Sequence, residues 1–570
     1  VILFLIGSGP LHAQGYLKVK GKQILQENGK PFIFRGMGLG GWMLQEGYMF
    51  QLSFLGQEYR IREKIAASVG EQNAAEFYDQ WLSRHTTIKD IEFLAAAGFN
   101  SIRLPMHYAL YTLPVEKEPV KGEHTWLEKG FQLTDSLLQW CKENQLYLIL
   151  DLHAAPGGQG NDLAISDRDP SKPSLWESAA NQAKTIALWK KLAARYAKES
   201  WIAGYDILNE TNWGFEDSTD TRGTKEKTNI PLRKLLMEIT QAIREVDPHH
   251  IIFLEGNGFA NNYKGILPPW DDKLVLSFHK YGNFNTKKSI QTFLDLRNQY
   301  ELPIWLGETG ENFNTWFTEA IGLMEAEGIG WTWWPHKKIG INNPLSIQAP
   351  NGYDRLLASW SGKGAIIDST EAWNILQELL ANISFDSNEK RRDVLDAMFR
   401  QVQPHKSIPF KTHTLTDSLA LLAADYDLGA QQVAYADRDT ASYHYTPGVQ
   451  TTGNRGRTYR NDGVDIKAGK DGPVIFCTEE GEWLHYTIDV NQSGKYEMKI
   501  RARADSVGAG LKLSCSNQSY QLEIPISASA QMSFYSFGNY KLKKGRNQLT
   551  LRILKGGSEF DRILIRRIQK

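Results

Sequence analysis

The chain is poor in cysteine: three in 570 residues, Cys141, Cys477 and Cys515. A sparse, odd count is no disulfide framework, and the absence of any CxxC or Cys/His cluster gives no structural zinc site. Net charge is also missing, since 65 Lys and Arg balance 65 Asp and Glu. No field of one sign favours a polyanion, which argues against a nucleic-acid partner. Beyond the N-terminus no run approaches the roughly 18 apolar residues of a membrane span, and there is no tandem repeat or low-complexity tract. What is abundant is aromatic: 17 Trp and 23 Tyr, within an aromatic fraction of 11%. Flat rings suit the apolar C–H faces of sugars. With 41% hydrophobic and 23% charged residues the composition is globular.

Val1–Ile6 is a continuous apolar run, followed by Gly7-Ser8-Gly9-Pro10 and Leu11-His12-Ala13. It reads as the remnant of a signal peptide over residues 1–13 with cleavage after Ala13, so the expected location is secreted or periplasmic.

From 15 to 382 short apolar runs alternate with amphipathic ones. The expected strands are Phe32–Gly36, Ser101–Pro105, Leu146–His153, Ala203–Asn209, Ile251–Glu255, Leu274–His279, Ile304–Glu308 and Gly330–Trp334. Helical patterns over Trp81–Ala97, Trp126–Asn144, Leu175–Lys198, Pro231–Val246, Ile290–Tyr300, Trp316–Glu327 and Ala372–Ala381 separate most of them. Eight apolar strands alternating with helices predict a closed (β/α)8 barrel, a TIM barrel. Residues 383–420, charged and helical and then polar with Pro404 and Pro409, read as a linker between separable modules. From 421 to 570 helices vanish and short alternating runs predict an all-β sandwich, jelly-roll-like. Trp483, at a strand centre, reads as core.

Barrel chemistry sits at the carboxyl ends of the strands. There the sequence places Arg103, Asp151 and His153, Asn209-Glu210, His279 with Tyr281, Glu308, and Trp334. Two glutamates on the fourth and seventh strands face across the barrel, the arrangement that glycosidic cleavage needs: one carboxyl protonated, one ionised. Arg103 and Tyr281 are expected to keep Glu308 ionised. A less polar setting and repulsion from Glu308 are expected to keep Glu210 protonated, with His279 orienting it. Asn209 is placed to bond a sugar 2-hydroxyl.

These motifs resemble glycoside hydrolase family 5, a family of retaining barrel enzymes. Ile207-Leu208-Asn209-Glu210 resembles its acid/base motif and Trp305-Leu306-Gly307-Glu308-Thr309-Gly310 its nucleophile motif. Ser101–Pro105, Asp151-Leu152-His153 and Ser277–Tyr281 match its arginine, histidine and strand-six motifs. Arg35–Trp42 and Asp151–Gln159 are similar to the exo-β-1,3-glucanase branch. The resemblance implies Glu210 and Glu308 as catalytic residues, with Arg103, His153, Asn209, His279 and Tyr281 around the sugar. It puts Trp334 beneath the −1 ring and Glu46 on its hydroxyls. Thr211 stands where the family usually has proline. Insertions at Met43–Gln80 and Pro335–Thr370 would either wall off a pocket or extend a cleft. No metal or organic cofactor is implied for the reaction.

The C-terminal region resembles carbohydrate-binding modules of families 6 and 35, on Tyr459–Ile466, Gly481–Tyr486 and Phe560–Ile563. Such modules carry structural calcium; here Leu422–Tyr426 has alanine where Glu is expected, while Asp561 sits where a ligand would. Loop aromatics Tyr443, Tyr445 and Tyr459 are candidate sugar platforms. The expected partner is a polysaccharide or oligosaccharide, cleaved at β-glucosidic linkages. The alternatives are a glycosidase for glycolipid or for arabinose or galactose side chains, and a non-catalytic sugar binder on the same barrel.

Overall fold

The computed structural model describes residues 15–403, 406–442, 453–505, 507–527 and 531–568. The expected signal remnant 1–13, Tyr443 and Tyr445 lie outside the described residues. Eight parallel strands close a barrel: β1 (Arg35–Gly38), β2 (Ser101–His107), β3 (Tyr147–Ala154), β4 (Ile202–Asp206), β5 (Ile251–Glu255), β6 (Leu274–Lys280), β7 (Ile304–Gly310) and β8 (Gly330–Trp334). β8 pairs with both β7 and β1, which closes the ring. All eight residues of β3 are buried, as a strand covered by helices outside and side chains inside must be. A short hairpin, Lys18–Lys20 and Gln23–Leu25, precedes the barrel. Its flanking Leu17 and its Ile24 pack with Phe34, Tyr147, Phe253 and Trp305, sealing the amino-terminal end of the strands. The open end is therefore the carboxyl one.

The expected single helix over Trp81–Ala97 is two, Glu71–Arg84 and Ile88–Ala97. Thr87 starts the second: its backbone N–H and hydroxyl both donate to Asp90, at 2.9 and 3.0 Å. This is local capping that apolar spacing does not reveal. The helices Glu58–Val69 and Glu71–Arg84 of the first insertion pack against Tyr353–Trp360 and Ser369–Asn382, burying Phe50, Trp81, Leu356 and Leu379 together with Trp334. The two insertions thus form one wall beside the barrel mouth.

The C-terminal region is a pair of sheets. One carries Trp483–Val490, Gly545–Lys555, Ala509–Cys515 and Gln518–Ile524; the other carries Ile466–Gly469, Gly472–Ile475, Ser558–Arg567, Gly494–Ala504 and Ser533–Leu542. Alternate residues such as Tyr496, Met498, Ile500 and Ala502 face a common core. Trp483 is not in that core. It is half-buried on the outer face, opposite Arg552 on the neighbouring strand and 4.4 Å from the His485 ring. Leu484 and Tyr486 take the inward positions, so the pleat forces Trp483 out. Within the expected linker, Arg392–Met398 is a helix whose Val394 and Met398 join the barrel core. Among the described residues no helix is long and apolar enough to cross a membrane.

Lys337, just past β8, is fully buried, is ion-paired with Asp90 at 2.5 Å and donates to the carbonyls of His85 and Ile383. Removing the carboxylate strands an ammonium in the core. Asp90→Asn should destabilise by about 3–5 kcal/mol in denaturant unfolding, and the double variant with Lys337→Met should recover much of the loss. Additive losses would contradict this account.

Candidate active site

The site is organised by one guanidinium. Arg103, on β2, has no exposed surface. Its Nε donates to Asp206 at 2.9 Å and its Nη1 to Glu308 at 2.8 Å. Its Nη2 donates to Asn209 at 2.8 Å and Glu255 at 3.0 Å. Asp151 lies 3.3 Å away. Barrel strands two to five and seven are thereby tied to one planar fork, whose geometry sets the direction of each partner.

β4 ends at Asp206, earlier than expected, so Asn209 and Glu210 lie in the following loop. Glu210 has φ 40°, the left-handed region that a side chain disfavours. Its N–H donates to Glu255 at 2.6 Å and its carbonyl accepts from Asn212 at 2.8 Å, which holds the strained backbone. The Glu210 carboxylate meets His279 Nδ1 at 2.5 Å, and His279 Nε2 lies 3.2 Å from Glu255. Across the barrel, Glu308 accepts from Tyr281 at 2.7 Å and from Arg103. Donor atoms of Glu210, His279 and Glu308 all lie within 4.8 Å of one another.

His153 donates from Nδ1 to Asp151 at 2.7 Å, and its Nε2 faces Asn209 at 3.3 Å and Glu46 at 3.7 Å. Its ring stacks on Trp334 at 5.0 Å with 8° between planes. Trp334 Nε1 donates to the Tyr48 hydroxyl at 3.0 Å. Trp333 instead points into the core against Phe317 and Trp316. A cavity of about 610 Å³ opens above this set, lined by Glu46, Tyr48, Glu210, Tyr281, Glu308 and Trp334 among others. Every residue singled out from the sequence as a barrel site residue is thus in one constellation.

Burial pushes all these carboxyls up, and the neighbours decide the outcome. For Glu308 burial is outweighed by the charges of His279, Arg103 and His153 and by the Tyr281 hydrogen bond, so its carboxyl sits below the ordinary value. For Glu210 burial, with the charges of Glu308 and Glu255, outweighs His279 and raises it. Burial lifts Glu46 to about 7. For Glu255 burial is overcome by His279, Arg103 and the Glu210 N–H, leaving it at about 2. Burial works against a charged His153, but Asp151 and Glu46 raise it to about 10. The buried Asp206 is also pushed well up, by burial and the charge of Glu255, against the pull of Arg103.

Sequence reasoning missed Glu255, although it closes an apolar strand run just as Glu308 does. It missed Gln159 as a positioning group: its amide donates to the carbonyls of His153 and Asn209 at 2.7 and 2.8 Å, tying the two loops together. Tyr48 carries no signal in sequence, because only the folded insertion brings it to Trp334. Glu210, His279 and Glu308 form a donor set of metal-ligating type, but Arg103 already occupies Glu308, and a cation there would meet a guanidinium. In the sandwich, Asp561 is gripped by Arg501, and Asp425 accepts from Tyr459 and lies 3.2 Å from Lys411. Those carboxylates are already neutralised by cations, and they do not fit the calcium site the resemblance implies.

A sequence model described as cellulase, glycosyl hydrolase family 5, matches residues 64–338. A β-xylosidase of Phanerodontia chrysosporium is 28% identical over 446 residues, covering 72% of this chain and 87% of that one. Endoglucanase C of Acetivibrio thermocellus is 30% identical over 251 residues, 44% of this chain and 57% of its own. A probable glucan 1,3-β-glucosidase A of Aspergillus fumigatus is 26% identical over 257 residues, 44% of this chain and 56% of its own. The matched segment, somewhat under half of the chain, holds β2 to β8 with both facing glutamates and Arg103, and over it the chain is similar to glycosyl hydrolase family 5.

Proposed function

We propose that this glycosyl hydrolase cleaves β-glucosidic or β-xylosidic linkages by double displacement, with Glu308 as nucleophile and Glu210 as acid/base. The observation that carries the reading is the pair itself: two buried carboxylates approaching within 4.8 Å and biased in opposite directions. That approach supports the about 5–5.5 Å spacing of retaining enzymes over the about 6.5–9.5 Å of inverting ones. The Glu308 carboxylate attacks the anomeric carbon as the glycosidic C–O bond breaks, and Glu210 gives its proton to the departing oxygen. Glu210 then takes a proton from water, whose oxygen attacks the same carbon and releases Glu308. Arg103 holds Glu308 and Asn209 in register, Asn209 meets the 2-hydroxyl, and Trp334 with Glu46 and His153 receives the −1 sugar. The relatives' printed activities, on xylosides and on β-glucans, support this substrate class, and the wall built by the two insertions supports action at chain ends.

The sandwich serves as a carbohydrate-binding module in this reading, supported by its motif resemblance and by Trp483 on its outer face. The N-terminal apolar segment supports export from the cytoplasm.

Glu308→Ala should lower kcat by roughly 10⁴–10⁶-fold. A 2-deoxy-2-fluoro glycoside should label Glu308 in peptide mass spectrometry; label on another carboxylate would falsify the assignment.

Glu210→Ala should cost about 10²–10⁴-fold on substrates with poor leaving groups and far less on activated aryl glycosides. Azide should restore turnover of the latter. Equal losses on both substrates without rescue would exclude the acid/base role.

Tyr281→Phe removes a donor to the ionised Glu308, so that carboxyl rises. Activity needs Glu308 ionised and is lost as pH falls through its pKa. The acid limb of kcat/KM should therefore move to higher pH while the basic limb, set by Glu210, stays. An acid limb that does not move would show that Tyr281 does not tune Glu308.

A further inference from the structure

The sandwich meets the barrel through a buried polar contact centred on Asn461, 1% exposed. Its backbone N–H, its carbonyl and its side-chain nitrogen make four hydrogen bonds. Its N–H donates to Asp393 at 2.8 Å. Its carbonyl accepts from the N–H of Asn314 at 2.8 Å. Its Nδ2 donates to the Asn312 carbonyl at 3.0 Å and to Asn314 Oδ1 at 3.1 Å. Asn314 opens the helix Asn314–Ala326, so its N–H is one of the donors a helix start leaves without an internal partner. The sandwich satisfies it. Around this centre Arg391 donates to the Tyr459 carbonyl at 2.6 Å and Ser442 to Glu319 at 2.6 Å. Gly453 lies so close to Phe313 that a Cβ there would be 2.6 Å from the ring. Buried contacts with several directional bonds fix an orientation, as a flexible tether does not.

The segment held in this way is the loop that leaves β7 after Gly310, two residues past Glu308. Glu311 lies in it at φ 55°, a strained conformation for a side-chain-bearing residue, and lines the catalytic cavity. Glu311 is ion-paired to Lys338. The Lys338 ammonium sits 5.5 Å over the Tyr48 ring, and Tyr48 accepts from Trp334, the wall of the proposed −1 site. A connected path of contacts therefore runs from the sandwich to the sugar-facing surface.

We infer that the sandwich is a fixed part of the catalytic unit, and that Asn461 is a positioning residue that holds the Glu311–Asn314 loop and through it the Lys338–Tyr48–Trp334 wall. The inference rests on the proposed role of that cavity. It departs from the tethered-module reading of residues 383–420, because the polar network spans the two domains beside the active site.

The test uses the full-length protein. Asn461→Ala removes the two Nδ2 donors and leaves the backbone bonds. With a soluble aryl β-glycoside, assayed well below the melting temperature, KM should rise about tenfold. kcat and both limbs of its pH profile should stay nearly unchanged. Deuterium exchange of amides 311–316 should quicken while the barrel strands stay protected. Combined with Glu311→Gln, the effects on kcat/KM should fall short of additive. Asn461→Ser, which keeps one donor, should lie between and serves if the alanine variant does not fold. Unchanged KM with unchanged exchange at 311–316 overturns the inference, and so does a lower melting temperature with wild-type KM, which would make Asn461 an interface residue only. If the wild-type enzyme turns over no β-glycoside, the proposed function fails instead, and the exchange measurement alone decides the positioning role.

Discussion

The site depends on the burial of Arg103. A guanidinium with no exposed surface loses its hydration, and only a dense set of acceptors offsets that cost. The acceptors here are Asp206, Asn209, Glu255 and Glu308, with Asp151 close by. They come from four stretches of the barrel, so satisfying the guanidinium and placing the reactive groups are one requirement. His279 and then this cation lower Glu308 and Glu255, while Glu210, which Arg103 does not touch, is left to the raising effect of burial. Two glutamates of equal intrinsic acidity are thereby separated by their neighbours.

The barrel was legible because its signal is repeated. Eight apolar runs separated by amphipathic stretches constrain the topology jointly, and errors of a few residues at strand ends do not alter it. Legibility failed where a local interaction overrode periodicity. The capping of Ile88–Ala97 by Thr87 breaks a pattern that apolar spacing continues through. The early end of β4 at Asp206 places Glu210 in a strained loop, a conformation that no residue type at that position announces. Trp483 shows the same limit in the sandwich. Bulk suggests core, but the alternation set by Leu484 and Tyr486 decides its face.

The site residues were readable where chemistry requires a particular side chain at a strand end, as at Arg103, His279 and Glu308. Glu255 obeyed the same rule and was passed over. Gln159, Tyr48 and Glu311 lie in loops and insertions, where side-chain identity says little without the fold. These residues act through others: Gln159 ties the His153 and Asn209 loops, and Tyr48 braces Trp334. Sequence thus gives the reacting groups more readily than the scaffold that orients them.

That scaffold explains how the strain at Glu210 and Glu311 is tolerated. Glu210 and Glu311 both sit in left-handed backbone beside the cavity, and each is held by partners from outside its own loop. For Glu210 the outside partner is Glu255, at the end of β5, and Asn212 of the same loop adds a second bond. For Glu311 the flanking anchor is supplied at Asn312 and Asn314 by Asn461 of the sandwich. Strain of about 1–3 kcal/mol per residue persists only where the surroundings over-determine the conformation. On the Glu308 side of the cavity the barrel supplies only part of that determination. The second domain supplies the rest, which gives it a role in shaping the active site distinct from any sugar its own surface binds.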